Sequence, residues 1–270
     1  MPREGAGPDF IESLARGLDV IAAFEAGRPA MSLADVAAAT GLARPTARRI
    51  LLTLEQLGHV RTTERGFELT PRVLELGTAY VRALGLWDIA RPHLQDLVAR
   101  TRESCSIAQL DGSDIVYVAR VAVPKIVGLR VDIGTRFPAL ATSLGKVQLA
   151  ALPAEERDRV LAQPTRSGLV ARWQPDRAER EAELDLVRER GWALTDEQLA
   201  LGIRSVAAPL RDGSGRVVAG INVNAHAAET SVETLRSQHL PLLLDTAEAV
   251  SADFARAQQV PHATCEGESG

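Results

Sequence analysis

Residues 33–61, LADVAAATGLARPTARRILLTLEQLGHVR, decide the fold of the N-terminal part of this chain. Ser32 stands as an N-cap with Asp35 three residues on as its box partner, ahead of Leu33, Val36 and Ala37, and a short helix should stop at Thr40-Gly41. Beyond Gly41-Leu42, the residues Ala47, Ile50, Leu51, Leu54 and Leu57 fall on one helical face, with Gly58 as the stop. Helix, tight glycine-containing turn and helix is the pattern of a helix-turn-helix. Upstream, Leu14, Leu18, Ile21 and Phe24 recur at helical spacing until Gly27-Arg28-Pro29 ends the segment, which predicts a first helix. Downstream, His59–Thr62 and Gly66–Leu69 read as two short strands around Thr63-Glu64-Arg65-Gly66, a hairpin. Three helices closed by a hairpin make residues 10–70 a winged helix-turn-helix.

Thr70-Pro71 then starts another helix, threonine as N-cap and proline at the first helical position. Val73, Leu74, Gly77, Tyr80, Val81 and Leu84 continue its apolar stripe, so residues 71–86 are expected to form a linker helix. Either a second copy of that helix or the chain's own second domain must cover such a stripe. From Trp87 onward, helix and strand signals alternate. Helices are expected at 89–101, 143–151, 177–190 and 232–254, and strands at 105–110, 115–121, 127–131, 206–210 and 217–223. Helices over a mostly antiparallel sheet make residues 87–256 an α+β domain, and the polar, Gly-rich residues 257–270 are expected to be a disordered tail.

The whole chain has 270 residues, 46% hydrophobic and 24% charged, a length that suits two domains and a composition that excludes a disordered protein. Cys105 and Cys265 form neither a disulfide framework nor a zinc set, and the N-terminus MPREGAGPDF has no apolar signal core. A cytoplasmic protein with no membrane span is expected. The net charge of −4 argues against a nucleic-acid partner only as an average. Between positions 43 and 65, five arginines stand against Glu55 and Glu64, a local charge of +3. Affinity for DNA depends on such local neutralisation of phosphate.

On the third helix, Arg48 lies opposite the Ile50/Leu54 direction, with Arg44, Pro45, Thr46 and Arg49 around it. These side chains are placed to reach phosphates or base edges in a major groove, and Arg61 and Arg65 of the wing to reach backbone or minor groove. A solvated basic face is the alternative, because nearly all the cationic residues of this chain are arginines. No HExxH, GxSxG, GxGxxG or phosphate-loop motif is present, and the five histidines lack metal-ligand spacing. No metal, cofactor or enzymatic activity is therefore expected. Asn222 and Asn224 alternate with Ile221 and Val223 and share one side of a strand, facing either solvent or an interior where their amides need partners.

Four stretches together resemble the IclR family of bacterial transcriptional regulators. They are SLARGLDVIAAFEAG at 13–27, the helix-turn-helix at 33–61, VGLRVDIGTRFPALATSLGKVQLA at 127–150 and DEQLALGIRSVAAPLRDGSGRVVAGINVNAHA at 196–227. The resemblance spans residues 10–256. It implies a winged helix-turn-helix, a dimerising linker helix and a GAF-like C-terminal domain that binds a small organic effector, in a homodimer or homotetramer on a double-stranded DNA operator. SLARGLDVIAAF, TPRVLELG, DIVYVARV and IGTRFPALATS are most similar to the branch controlling the β-ketoadipate pathway, whose effectors are aromatic acids such as protocatechuate and 4-hydroxybenzoate.

Carried over residue by residue, the family's effector pocket implies a pair of backbone amides at Ser143 and Leu144, polar groups at Thr195 and Asp196, Ile203 and Ser205 from the GxxS/C motif, and the strand pair Asn222 and Asn224. Arg136, just ahead of the pocket helix, is a candidate partner for an effector carboxylate, with a plain surface arginine as the alternative. Three departures stand out. Ala43 replaces the usual polar cap of the recognition helix, Thr195 stands where a carboxylate is common, and Asn222 and Asn224 replace smaller polar residues. The competing readings are a regulator of the same family answering to a glyoxylate-type or sugar-acid effector and, more remotely, an enzyme with a DNA-binding appendage.

Overall fold

The computed structural model describes residues 7–24, 28–77, 85–124 and 131–259. The chain divides into two compact units, residues 1–83 and 84–270. Among the described residues, no helix is long and apolar enough to cross a membrane.

In the first unit, helices α1 (Glu12–Ala22), α2 (Leu33–Thr40) and α3 (Arg44–Gln56) enclose a small core. Val20, Met31, Val36, Ala47, Leu51 and Val60 are its buried centre. The capping box is present: Asp35 N–H donates to Ser32 Oγ, and Ser32 N–H donates back to the Asp35 carboxylate. Gly41 closes α2 in the left-handed conformation, which keeps the turn into α3 short. The wing is β2 (Val60–Thr63) and β3 (Gly66–Leu69), in register from Val60↔Leu69 to Thr63↔Gly66. A third strand, β1 (Ala30–Met31), pairs with β3 and gives a sheet ordered β1-β3-β2. Two residues beside a proline are too short a run to carry a strand signal of their own.

The apolar face expected of α1 is only partly buried. Ala15 and Val20 are inside, whereas Leu14 and Leu18 are 61% and 54% exposed. With Leu57 and Leu76 they line an open groove of about 830 Å³.

Residues 71–73 are a 3-10 turn capped by Thr70, whose hydroxyl accepts from Arg72 N–H, and residues 74–77 continue as helix. Residues 78–84 of the expected linker helix lie outside the described residues. A single helix running through to Leu86 does not form, because Gly85 is left-handed (φ 62°) and Leu86 opens helix α4 (Leu86–Thr101).

The second unit is built on one antiparallel sheet. Its strands are β4 (Ser104–Asp111), β5 (Asp114–Val121), β6 (Arg136–Pro138), β7 (Ala193–Asp196), β8 (Ile203–Arg211) and β9 (Val217–His226), in the order β6-β5-β4-β9-β8-β7. Helices α5 (Ser143–Ala151), α6 (Ala154–Leu161) and α7 (Arg177–Arg190) lie between β6 and β7 in the chain. A short turn at Val232–Thr234 and a π-helical stretch at Leu235–His239 lead into α8 (Leu240–Gln259). Residues 257–259, expected in the tail, therefore continue a helix, and residues 260–270 lie outside the described residues. So do residues 127–130 of the strand expected at 127–131, while Val131 is in no strand.

Strand alternation gives the sheet two unlike faces. One carries Cys105, Ile107, Ala119, Val206, Ala208, Ile221 and Val223, which pack with Ala90, Leu94 and Leu97 of α4 and with Leu243, Val250 and Phe254 of α8 in one continuous core. The other face is partly covered by α5, whose Leu144 and Val147 join Ala108, Tyr117, Ala193 and Ala207 in a second core. Helix α5 is buried from Ser143 to Ala150. Only glycines allow it to sit so close: a Cβ on Gly145 would collide with Ala139 O, and one on Gly220 of β9 would fall 2.9 Å from Leu144 O. Lys146, wholly buried on α5, reaches Glu183 of α7 at 2.7 Å and lies over the Trp173 ring.

Candidate functional site

Each unit holds one candidate site. In the first, α3 presents Arg44, Pro45, Arg48 and Arg49 to solvent, with Thr46 half-buried beside them, while Ala47, Leu51 and Leu54 point inward. Among the described residues, no carboxylate pairs with these three arginines, so their charge is available to a phosphate or a guanine edge. The α3 start has no side-chain cap, as Ala43 requires, and Pro45 sits in its first turn. The wing differs from expectation. Arg65 is exposed at its tip, but Arg61 lies on β2 with its guanidinium 2.9 Å from Glu68 of β3. Counting through Glu68 lowers the local charge of this surface from +3 to +2. Glu55 of α3 accepts from Thr62 N–H at 3.0 Å and ties the wing to the recognition helix.

In the second unit, the site grows from the part of the sheet that α5 leaves uncovered. Register places Ser104 opposite Asn224 and Ser106 opposite Asn222 on β4 and β9, then Asn224 opposite Ser205 on β8, then Ser205 opposite Thr195 on β7. All these side chains therefore share one face, and where α5 begins the apolar residues of that face give way to polar ones. Ser143, first residue of α5, hydrogen-bonds Ser205 Oγ at 2.6 Å, and Thr195 Oγ1 lies 3.0 Å from the same oxygen. The three hydroxyls are buried together. Among the described residues, the Ser143 and Leu144 N–H groups have no acceptor, since the Thr142 side chain caps Gly145 N–H and the Thr142 carbonyl takes Lys146 N–H. Two free amides at the start of a nine-residue helix form an electropositive corner suited to an oxyanion.

Asn222 is buried, its Oδ1 accepting from Ser106 N–H at 3.2 Å, and Asn224 is half-buried on the same side of β9. Ile203 lies on the same face as Ser205 and is half-buried. Leu144 contributes its amide only, because its side chain belongs to the core.

Two expected site residues lie elsewhere. Arg136 is on edge strand β6, its guanidinium 2.7 Å from Asp111 and 3.3 Å from Asp114, so its charge is matched locally. Asp196 follows Thr195 on the strand, points the opposite way, is exposed and pairs with Arg204 at 2.6 Å. Sequence reasoning missed three residues of this face: Ser104, Ser106 and Arg120. The run SCSIA alternates serine with apolar residues just as INVN alternates asparagine, and Arg120 interrupts the apolar strand IVYVARV. Both signals were legible.

The comparisons with known proteins settle the family. The model of the IclR helix-turn-helix domain matches residues 13–64, and that of the bacterial transcriptional regulator IclR C-terminal domain matches residues 78–252. The chain belongs to the IclR family. As an IclR-family protein, it is a helix-turn-helix transcriptional regulator with an α+β C-terminal domain. The Pca regulon regulatory protein of Pseudomonas putida is 36% identical over 88% of this chain and 82% of its own length. A crystal structure from Rhodococcus sp. RHA1, described as a transcriptional regulator, is 46% identical with a TM-score of 0.80, covering 92% of this chain and 100% of the other. An IclR homologue of Microbacterium hydrocarbonoxydans, solved in complex with 4-hydroxybenzoate, is 25% identical with a TM-score of 0.78, over 91% of this chain and 99% of its own.

Proposed function

We propose that this IclR-family chain binds its operator through α3 and the wing and that a small aromatic acid, bound on the polar part of the C-terminal sheet, adjusts that affinity. One observation carries the effector reading: two unpaired backbone amides at the start of α5 adjoin the buried hydroxyls of Ser143, Ser205 and Thr195. That set of donors fits an oxyanion or a phenol, and no carboxylate from Thr195's position repels it. Relatives named for the Pca regulon and complexed with 4-hydroxybenzoate support the aromatic class over a glyoxylate-type or sugar acid.

On this reading Arg44, Arg48 and Arg49 contact the major groove, Pro45 and Thr46 approach it, and Arg65 reaches the backbone. The chain works in the cytoplasm as a homodimer or homotetramer without enzymatic activity, and the exposed leucines 14, 18, 57 and 76 supply an apolar surface for a second copy to cover. Fluorescence anisotropy on the DNA upstream of its own gene, with and without 4-hydroxybenzoate and protocatechuate, tests both halves. The expected shift is about 5- to 150-fold in operator affinity. Equal affinity across a broad panel of benzoates overturns the effector assignment, and binding no tighter than to unrelated DNA overturns the operator assignment.

A further inference from the structure

We infer that Arg120, and not Arg136, receives the carboxylate of the effector, and that the buried hydroxyls at the other side of the site receive its second polar group. This inference rests on the effector reading above and deepens it to a binding orientation. Arg120 lies on β5 directly opposite Ser106 of β4, on the polar face of the sheet, and its Nη1 donates to Ser106 Oγ at 3.0 Å. Its remaining donors have no protein acceptor among the described residues, and no carboxylate of those residues pairs with it. It is half-buried, and burial pulls the guanidinium below its ordinary value. Asp132 attracts it only from beyond ion-pair distance, and a partly desolvated cation with no direct carboxylate partner is a standing demand for an anion. Two other arginines of this sheet are answered by the protein itself: Arg136 by two aspartates, Arg204 by Asp196.

The spacing then selects among aromatic acids. Ser106, where the Arg120 nitrogen sits, is on β4, and Ser205, hub of the three hydroxyls, is on β8, with β9 between them. Two strand spacings and a two-residue offset in register separate the groups by about 12 Å along the sheet diagonal. A benzene ring with its carboxylate and hydroxyl at opposite ends spans such a gap with a hydrogen bond at each side. A ring with the two groups on adjacent carbons presents both to one side and leaves the other unanswered. Asn222, level with Ser106, and Asn224, level with Ser205, flank that diagonal on the intervening strand.

Calorimetry on the full-length protein tests this with 4-hydroxybenzoate, its neutral counterpart 4-hydroxybenzamide and 2-hydroxybenzoate. The wild-type chain should bind the first more tightly than either of the others. Arg120→Gln should weaken 4-hydroxybenzoate by about 10- to 100-fold and leave 4-hydroxybenzamide within about twofold, so that the preference for charge disappears. Arg120→Lys should restore part of that preference, and Arg136→Gln should leave it intact. An Arg120→Gln protein of unchanged thermal stability that still prefers the acid overturns the inference while leaving the effector reading standing. Tighter binding of 2-hydroxybenzoate than of 4-hydroxybenzoate by the wild type overturns the orientation. A wild-type chain that binds none of the three overturns the effector reading itself, and this inference with it.

Discussion

Ser143 and Ser205, 62 residues apart in sequence, share a 2.6 Å hydrogen bond between the first turn of α5 and strand β8. Ser205 also meets Thr195 from the next strand, so one hydroxyl joins a helix start to two strands. Groups that hydrogen-bond one another can turn to a ligand at small cost, since each exchanges one partner for another.

Replacing that hub should separate binding from folding. Ser205→Ala removes one hydroxyl and leaves the other two paired at most with each other, at a stability cost of about 1 kcal/mol. Effector affinity should fall about tenfold or more, read by calorimetry beside a thermal melt. Unchanged affinity would count against the hydroxyl cluster as part of the site.

Gly145→Ala tests how α5 is held. The new methyl would run into Ala139 O, a backbone atom with nowhere to retreat beside a buried helix. Destabilisation of about 1–3 kcal/mol is expected, visible as a lower midpoint in urea. A melt equal to wild type would mean the 139–141 turn moves freely.

On the DNA side, the unpaired Arg48 and the paired Arg61 should behave differently. Arg48→Ala is expected to weaken operator binding by about 1–3 kcal/mol, whereas Arg61→Ala removes a charge that Glu68 already matches and should cost well under half of that. Equal losses in a salt-dependent anisotropy titration would show that Arg61 leaves Glu68 for the phosphates.

Cys105 is wholly buried in the core between the sheet, α4 and α8, and burial pushes its thiol up to about 12. In a Cys265→Ser background it should resist an aromatic disulfide reagent at mildly alkaline pH until the protein is denatured. The folded chain holds this proton more tightly than the unfolded one, whose thiol titrates near 9.0. The thiol's contribution is therefore complete below pH 9.0 and is lost as pH rises towards about 12, so stability should decline across that window. A Cys105→Ala variant should decline less steeply over the same range.

The parts legible in the sequence were those governed by local chemistry. Ser32 with Asp35, Gly41, Pro71 and the apolar period of α3 fix their elements without help, and the helices 143–151 and 177–190 fall where periodicity puts them. Strand alternation placed Asn222 and Asn224 together. What pairing decides was out of reach: β1 exists only through β3, and Arg61 and Arg136 meet Glu68, Asp111 and Asp114 across strand neighbours that no spacing reveals. The exposure of Leu14 and Leu18 escaped for a related reason. An apolar stripe states that something must cover it, but not what does.

The division of the sheet into an apolar face and one that is polar in part has a consequence for descent. Along β4, β8 and β9, neighbouring residues face separate surroundings: Cys105, Val206 and Val223 the packing of α4 and α8, Ser106, Ser205 and Asn222 the polar face proposed to hold the effector. A substitution at every second position can therefore retune the ligand while the residues between keep the chain folded. A family built on this sheet can diversify its chemical vocabulary by single steps whose cost falls on the polar face and leaves the packing of α4 and α8 in place.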